Sequence, residues 1–317
     1  MPLSAGLRGA SVEPASPGPS KAAQDLLHAR FLDYGARWAF IIAAGVLSLT
    51  ALNALGVAMN FDSLLTKVKF PLMTVAFGLF YGAIGRRVSG LAYSAGVVSD
   101  LCLSFSQFMI AVVAMLPLTY LAVAPGFPLV DGTLSHLDTL LFSFEWDAAA
   151  RWVANRPLLD WLLGLAYGSF YWQAFLLLLL GSISRPGDRN GELIWHFCIS
   201  LSLTCAIFVF TPALGKVGHA GTGYISVIME IRAGLWRVFD YNQADGIITF
   251  PSFHAALAVI LAYAARRQPW ALVIFLPANV LMLASTPTIG GHYLVDLPGG
   301  VLVALASILL TRVWRRW

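Results

Sequence analysis

Three apolar runs near the C-terminus decide the fold: FPSFHAALAVILAYAAR at residues 250–266, PWALVIFLPANVLMLASTP at 269–287 and YLVDLPGGVLVALASILLTRV at 293–313. Each is close to the roughly 20 residues that a helix needs to cross the hydrocarbon core of a bilayer. Their only charged residues are Arg266, Asp296 and Arg312. Working outward, five more runs of this kind lie at about 38–58, 69–85, 101–124, 158–183 and 193–214. The expectation is an all-α integral membrane protein with about eight transmembrane helices, six of them forming a core over 101–313 and two added at the N-terminus. The stretch 88–124, interrupted only by Asp100, reads either as an interfacial helix plus one span or as two spans.

Composition excludes the soluble alternatives. Of the 317 residues 58% are hydrophobic and 11% charged, with a mean hydropathy of +0.75, whereas a soluble domain is roughly one quarter charged. The net charge of +4 is not gathered into a basic stripe, so no nucleic-acid partner is expected, and membrane orientation accounts for the excess. With the N-terminus inside, the inner segments collect most of the basic residues, among them Arg86, Arg87, Arg185, Arg189, Arg266, Arg267, Arg312, Arg315 and Arg316. Both termini are therefore expected in the cytoplasm. Residues 1–37, rich in Pro, Ser, Ala and Gly, read as a disordered tail ending in a short interfacial helix. Residues 38–100 read as an N-terminal transmembrane pair with its connector, and 101–317 as the catalytic membrane domain. Cys102, Cys198 and Cys205 lie in apolar runs and read as small buried hydrophobes.

The chemistry gathers at two loop-to-helix junctions. His254 follows Phe250-Pro251-Ser252-Phe253 at the entrance to the sixth run, and His292 lies in Gly290-Gly291-His292-Tyr293-Leu294-Val295-Asp296 at the entrance to the eighth. The sixth run goes from outside to inside and the seventh returns, so both histidines emerge at the outer face. Asp296 is four residues beyond His292, a spacing that shares one helix face. A carboxylate on one imidazole nitrogen fixes the tautomer and leaves the other nitrogen to act as nucleophile or base. The second histidine then serves as general acid, and the set fits attack on a phosphate ester.

Phe250-Pro251-Ser252-Phe253-His254 resembles the second signature of the type 2 phosphatidic acid phosphatase (PAP2) superfamily. Ser285 to Asp296, read as Ser-Thr-x5-His-x3-Asp, resembles its third. The resemblance implies a metal-independent reaction with no cofactor: His292 attacks phosphorus and carries a phosphohistidine, Asp296 orients it, and His254 protonates the leaving group. Thr286 stands where hydrolases have Arg, and the first signature is not intact; Arg185-Pro186, with Leu178 at its Lys position, is its only echo. Thr286 in place of Arg, together with Phe250-Pro251-Ser252-x-His254 and the Gly291-His292-Tyr293 run before Asp296, resembles the inositol phosphorylceramide synthase branch, whose members transfer a phosphorylated headgroup between lipids. The missing cations must be replaced, because a phosphoryl group in transfer needs donors around its oxygens. Lys216, Arg232 and Arg237 in the preceding outer loop are the candidates, Arg232 first, with Ser252, Gly291 and Tyr293 lining the pocket and helix N-termini offering N–H groups.

The expected partners are membrane lipids: a lipid phosphodiester, phosphomonoester or diphosphate, and an alcohol acceptor. Plain hydrolysis of a lipid phosphate is the alternative. A transporter using the histidines as proton relays is a further one, disfavoured because both histidines sit at span ends rather than at the midplane. The location implied is a bacterial inner membrane with the site on the periplasmic face.

Overall fold

The computed structural model describes residues 21–314 apart from 144, 185–188, 217–222 and 267. Arg185-Pro186 thus lies outside the described residues, as do residues 1–20 of the expected tail. Residues 21–37 are helical: α1 runs from Lys21 to Ala54, and Arg37 is buried rather than part of a tail. A short strand β1 (Ala58–Met59) leads to α2 (Phe61–Arg87), and a 3-10 turn at Ser89–Leu91 leads to α3 (Ala92–Leu121). The stretch 88–124 therefore holds one long helix.

Then follow α4 (Asp131–Phe142), α5 (Trp146–Ala154), α6 (Pro157–Gly168), α7 (Phe170–Ser184), α8 (Asn190–Phe210), α9 (Gly223–Arg232), β2 (Val238–Phe239), α10 (Phe253–Ala265), α11 (Pro269–Gly290) and α12 (Asp296–Trp314). Every apolar run is helical, but they do not all cross alike. Among the described residues six helices are long and apolar enough to span: α1 from Leu32, α2, α3, α8, α11 and α12. The run 158–183 is a bent pair, α6 and α7 meeting at 48°. The run 250–266 yields only the 13 residues of α10, about 20 Å of helix against a core of about 30 Å. Residues 247–252 ahead of it are irregular backbone that is mostly buried. Such backbone is tolerated at membrane depth only inside protein. The chain is a multi-pass, all-α membrane protein, and the count of eight spans is not reached by length alone.

α8 is the most buried span and α2 the least. α8 packs against α3, α10 and α12, with α10 also against α11 and α12. Phe208, Ile260, Met282 and Ala304 at the centre have no exposed surface. At the end away from the histidines, charges are paired as burial requires. Arg37 bonds Asp33 and Gln107 (2.7 Å), and Arg266 meets Glu192 at 2.8 Å. At the histidine end, β1 and β2 pair in parallel and tie the α1–α2 turn to the loop that leads into α10.

Candidate active site

Ser252 is fully buried and caps α10, its hydroxyl accepting the Ala255 N–H at 3.3 Å. Pro251 consequently lies ahead of the cap and not in the first helical turn. His254 is the second residue of α10. Its ring lies flat on Tyr167, with centroids 3.9 Å apart and planes at 19°, and Phe170 meets it edge-on at 5.7 Å. Tyr167 and Phe170 flank the break between α6 and α7, so the broken span forms the wall behind this imidazole.

The second half of the site begins where α11 ends. Gly291 adopts φ +70 and its N–H closes the helix on the Thr286 carbonyl, a left-handed cap that glycine takes without steric cost. His292 follows, buried, with Nδ1 3.2 Å from Asp296 Oδ2. The same oxygen accepts the Tyr293 N–H at 2.9 Å. The pair anticipated from the spacing forms, yet not on a helix face. α12 starts only at Asp296, and the contact is closed by a turn in which the Asp296 N–H donates to the Tyr293 carbonyl (3.1 Å).

The two motifs are joined directly. The Ser252 N–H donates to the Asp296 carbonyl at 3.0 Å, and Gly300 brings α12 against the Ser252 carbonyl and Ala255. The two imidazoles lie within electrostatic reach of each other.

The candidate cations separate. The Lys216 N–H donates to the Gly291 carbonyl at 2.6 Å, and its ammonium lies 5.5 Å from the centroid of the Tyr293 ring. Arg232 donates instead to the Phe127 carbonyl (2.8 Å), and Arg237 folds onto the Gly234 and Trp236 carbonyls. Lys216, ranked behind Arg232 on sequence, is the one seated on the third motif. Thr286 is buried and spends its hydroxyl on the Met282 carbonyl of its own helix (2.8 Å). Leu178 is wholly within the core.

Two residues that hold the candidate site escaped the sequence reading. Asp138, only 3% exposed, accepts the N–H groups of Leu294 and Val295, each at 2.8 Å. Asp131 accepts the N–H groups of Leu214 and Gly215 and the Tyr293 hydroxyl at 3.0 Å. Burial first, and the Asp131 charge second, raise the Tyr293 phenol above its ordinary range, so it remains a donor. The only available signal was two aspartates seven residues apart between the third and fourth apolar runs. The N–H groups just ahead of α12 are thus taken by Asp138 and not left for a phosphate.

Trp146 donates to the Pro287 carbonyl at 3.0 Å and pins α5 to α11; Trp152, Trp161 and Trp172 are exposed, as an interfacial aromatic belt requires. Gln173 bonds Ser169 one turn back rather than a neighbouring helix. Among the described residues no group of three or more His, Cys, Asp or Glu side chains is arranged to hold a metal ion.

Comparison with known proteins returns one family: a model described as the PAP2 superfamily matches residues 132–310. No curated protein and no solved structure matches the chain. The matched region opens in α4 and closes in α12, taking in Asp138, His254, His292 and Asp296 and leaving α1–α3 outside. With more than half of its length matched, the chain belongs to the PAP2 superfamily.

Proposed function

We propose that the protein transfers a phosphorylated headgroup from a membrane lipid to an alcohol acceptor through a phosphohistidine at His292. Superfamily membership carries a phosphatase-type function on lipids. The observation that supports the phosphohistidine, common to transfer and hydrolysis, is the His292 Nδ1–Asp296 Oδ2 contact of 3.2 Å, made at the same end of the bundle as the second imidazole. With Nδ1–H held by the carboxylate, the Nε2 lone pair attacks phosphorus. The P–O bond to the leaving alcohol breaks as His254 gives that oxygen its proton. In the second half-reaction His254 takes a proton from the acceptor hydroxyl, whose oxygen attacks phosphorus and releases Nε2 of His292. Asp296 stabilises the charged imidazole throughout.

Transfer is favoured over hydrolysis by Thr286, which gives the site no guanidinium where hydrolases carry one, and by the resemblance of the two motifs to inositol phosphorylceramide synthases. Lys216 is the cation assigned to the phosphate oxygens. The partners under this reading are a phosphate-bearing membrane lipid and a second lipid or polyol, and the seat is a bacterial inner membrane with the site on the periplasmic face.

The test incubates purified protein and His292→Ala in detergent with a panel of phosphate-bearing lipids, with and without a polyol or ceramide-like acceptor. Headgroup appears on the acceptor, with little free phosphate, and both products vanish in His292→Ala. Free phosphate unaffected by acceptor assigns plain hydrolysis instead, and activity surviving in His292→Ala overturns the nucleophile.

A further inference from the structure

We infer that α4 is a positioning element for the nucleophile, and that Asp138, helped by Asp131, sets the geometry of His292 and Asp296. The inference rests on the reading of His292 as nucleophile for its catalytic meaning, though not for its structural content.

Asp131, Leu134 and Asp138 lie three and four residues apart along α4 and so share one face. That face is turned to the segment between α11 and α12. Leu134, 4% exposed, packs with Ala213 and Tyr293. Asp138 closes on two consecutive backbone N–H groups, one on each carboxylate oxygen. Asp131 holds the Tyr293 hydroxyl on one side and the Leu214–Gly215 backbone on the other.

The segment so gripped needs an external hold. Residues 292–295 lie between two helices, and the bond that ties the segment back to α11, from the His292 N–H to the Thr286 carbonyl, is long at 3.5 Å. Its internal closure consists of the Asp296 N–H to Tyr293 bond, the Leu297 N–H to Leu294 bond (3.2 Å), and the two contacts of Asp296 Oδ2. A buried carboxylate is costly to keep in place unless its oxygens are satisfied, and bonds from N–H to a charged acceptor are about twice as strong as neutral ones. Asp138 therefore resists any movement of Leu294 and Val295, and Val295 is covalently next to Asp296. A shift there is passed to the Asp296 carboxylate and so to the imidazole it orients. With 12 residues α4 is too short to span, and Leu140 and Leu141 on its far end are exposed.

The test replaces Asp138 with Asn, nearly the same in shape, which keeps one acceptor oxygen and turns an NH2 toward the second N–H. Asp138→Ala is the stronger variant, and His136→Ala, on the exposed side of α4, is the control. Two readouts are taken on the full chain in detergent, labelled with 15N-histidine. The first is the Nδ1–H resonance of His292, assigned by its loss in His292→Ala, which reports the carboxylate contact without any turnover. The second is kcat and KM.

In folded Asp138→Asn the resonance shifts or broadens, and kcat falls roughly 10- to 100-fold, the loss expected for displacement of a reacting group by up to an ångström, while KM changes little. His136→Ala leaves both unchanged. A folded Asp138→Asn with the wild-type resonance and wild-type kcat overturns the inference, as does a loss confined to KM. Should Asp138→Ala fail to fold, Asp138→Asn alone decides. If His292→Ala remains active while Asp138→Asn still perturbs the resonance, the chemical reading of His292 fails and the positioning by α4 stands.

Discussion

Gly300→Ala tests the packing that brings the two histidine motifs together. A methyl group built at Gly300 lies deep inside the contact distance of the Ser252 carbonyl oxygen, 2.8 Å from Ala255 Cβ and 3.1 Å from the Ala256 nitrogen. These atoms belong to the cap and first turn of α10, so no side-chain rotation relieves the clash. Ordinary contacts lie at roughly 3.5–4.0 Å, and α10 and α12 must part by about 1 Å to restore them. Overpacking of this kind costs about 1–3 kcal/mol. The same movement stretches the Ser252–Asp296 hydrogen bond of 3.0 Å and carries His254 away from His292. A displacement of about 1 Å between reacting groups reduces a rate by roughly 100-fold. The neighbouring Gly299 is a built-in comparison. A methyl there meets the Phe250 ring at 3.1 Å and Pro251 Cβ at 3.2 Å, and the ring edge can give. Turnover of a lipid phosphate and thermal unfolding in detergent, measured for both variants, separate the two cases. Gly300→Ala loses most of its turnover and several degrees of Tm, and Gly299→Ala loses little of either. Wild-type turnover and Tm in Gly300→Ala would refute the account of how the motifs are joined.

Two further outcomes follow from the surroundings of the site. Tyr167→Phe keeps the face that lies on His254 and retains near wild-type kcat, whereas Tyr167→Ala loses roughly 3- to 10-fold, the worth of an aromatic stack; equal damage from both variants would put the function in the hydroxyl instead. Asp240 sits in the loop leading to α10, and its carboxyl is held below the usual range, first by the Asn242 N–H and further by Ser63, Asn60 and Lys67. A carboxylate with a depressed folded value contributes stability that is present above its unfolded value near pH 4 and lost as pH falls through the folded one. Asp240→Asn therefore lowers Tm at neutral pH and flattens its decline below pH 4, and an unchanged acid profile contradicts this.

How much of this was legible beforehand follows from what each feature depends on. The apolar runs announce membrane helices because the bilayer sets both their length and their composition, and every run expected as a span is helical. His254, His292 and Asp296 were visible because their spacings within each motif are local, and the turn reversals between the sixth and eighth runs put both motifs at one end. The shortness of α10 was not visible. An apolar run reads the same whether its first residues are helical or are buried irregular backbone, as at 247–252. Nor was the choice among basic residues, since Lys216 and Arg232 look equivalent in a loop; the backbone bond from Lys216 to Gly291 is what separates them. Asp131 and Asp138 were the costliest omission. Their partners, Tyr293, Leu294 and Val295, lie more than 150 residues away, and two of the bonds end on backbone N–H groups, which every residue but proline possesses. Local pattern thus determined the membrane class and the candidate reacting groups, because lipid thickness and motif spacing act along the chain. Only the tertiary structure decided what holds those groups in place, because a carboxylate gripping main-chain N–H groups leaves no mark on the identity of the residues it grips.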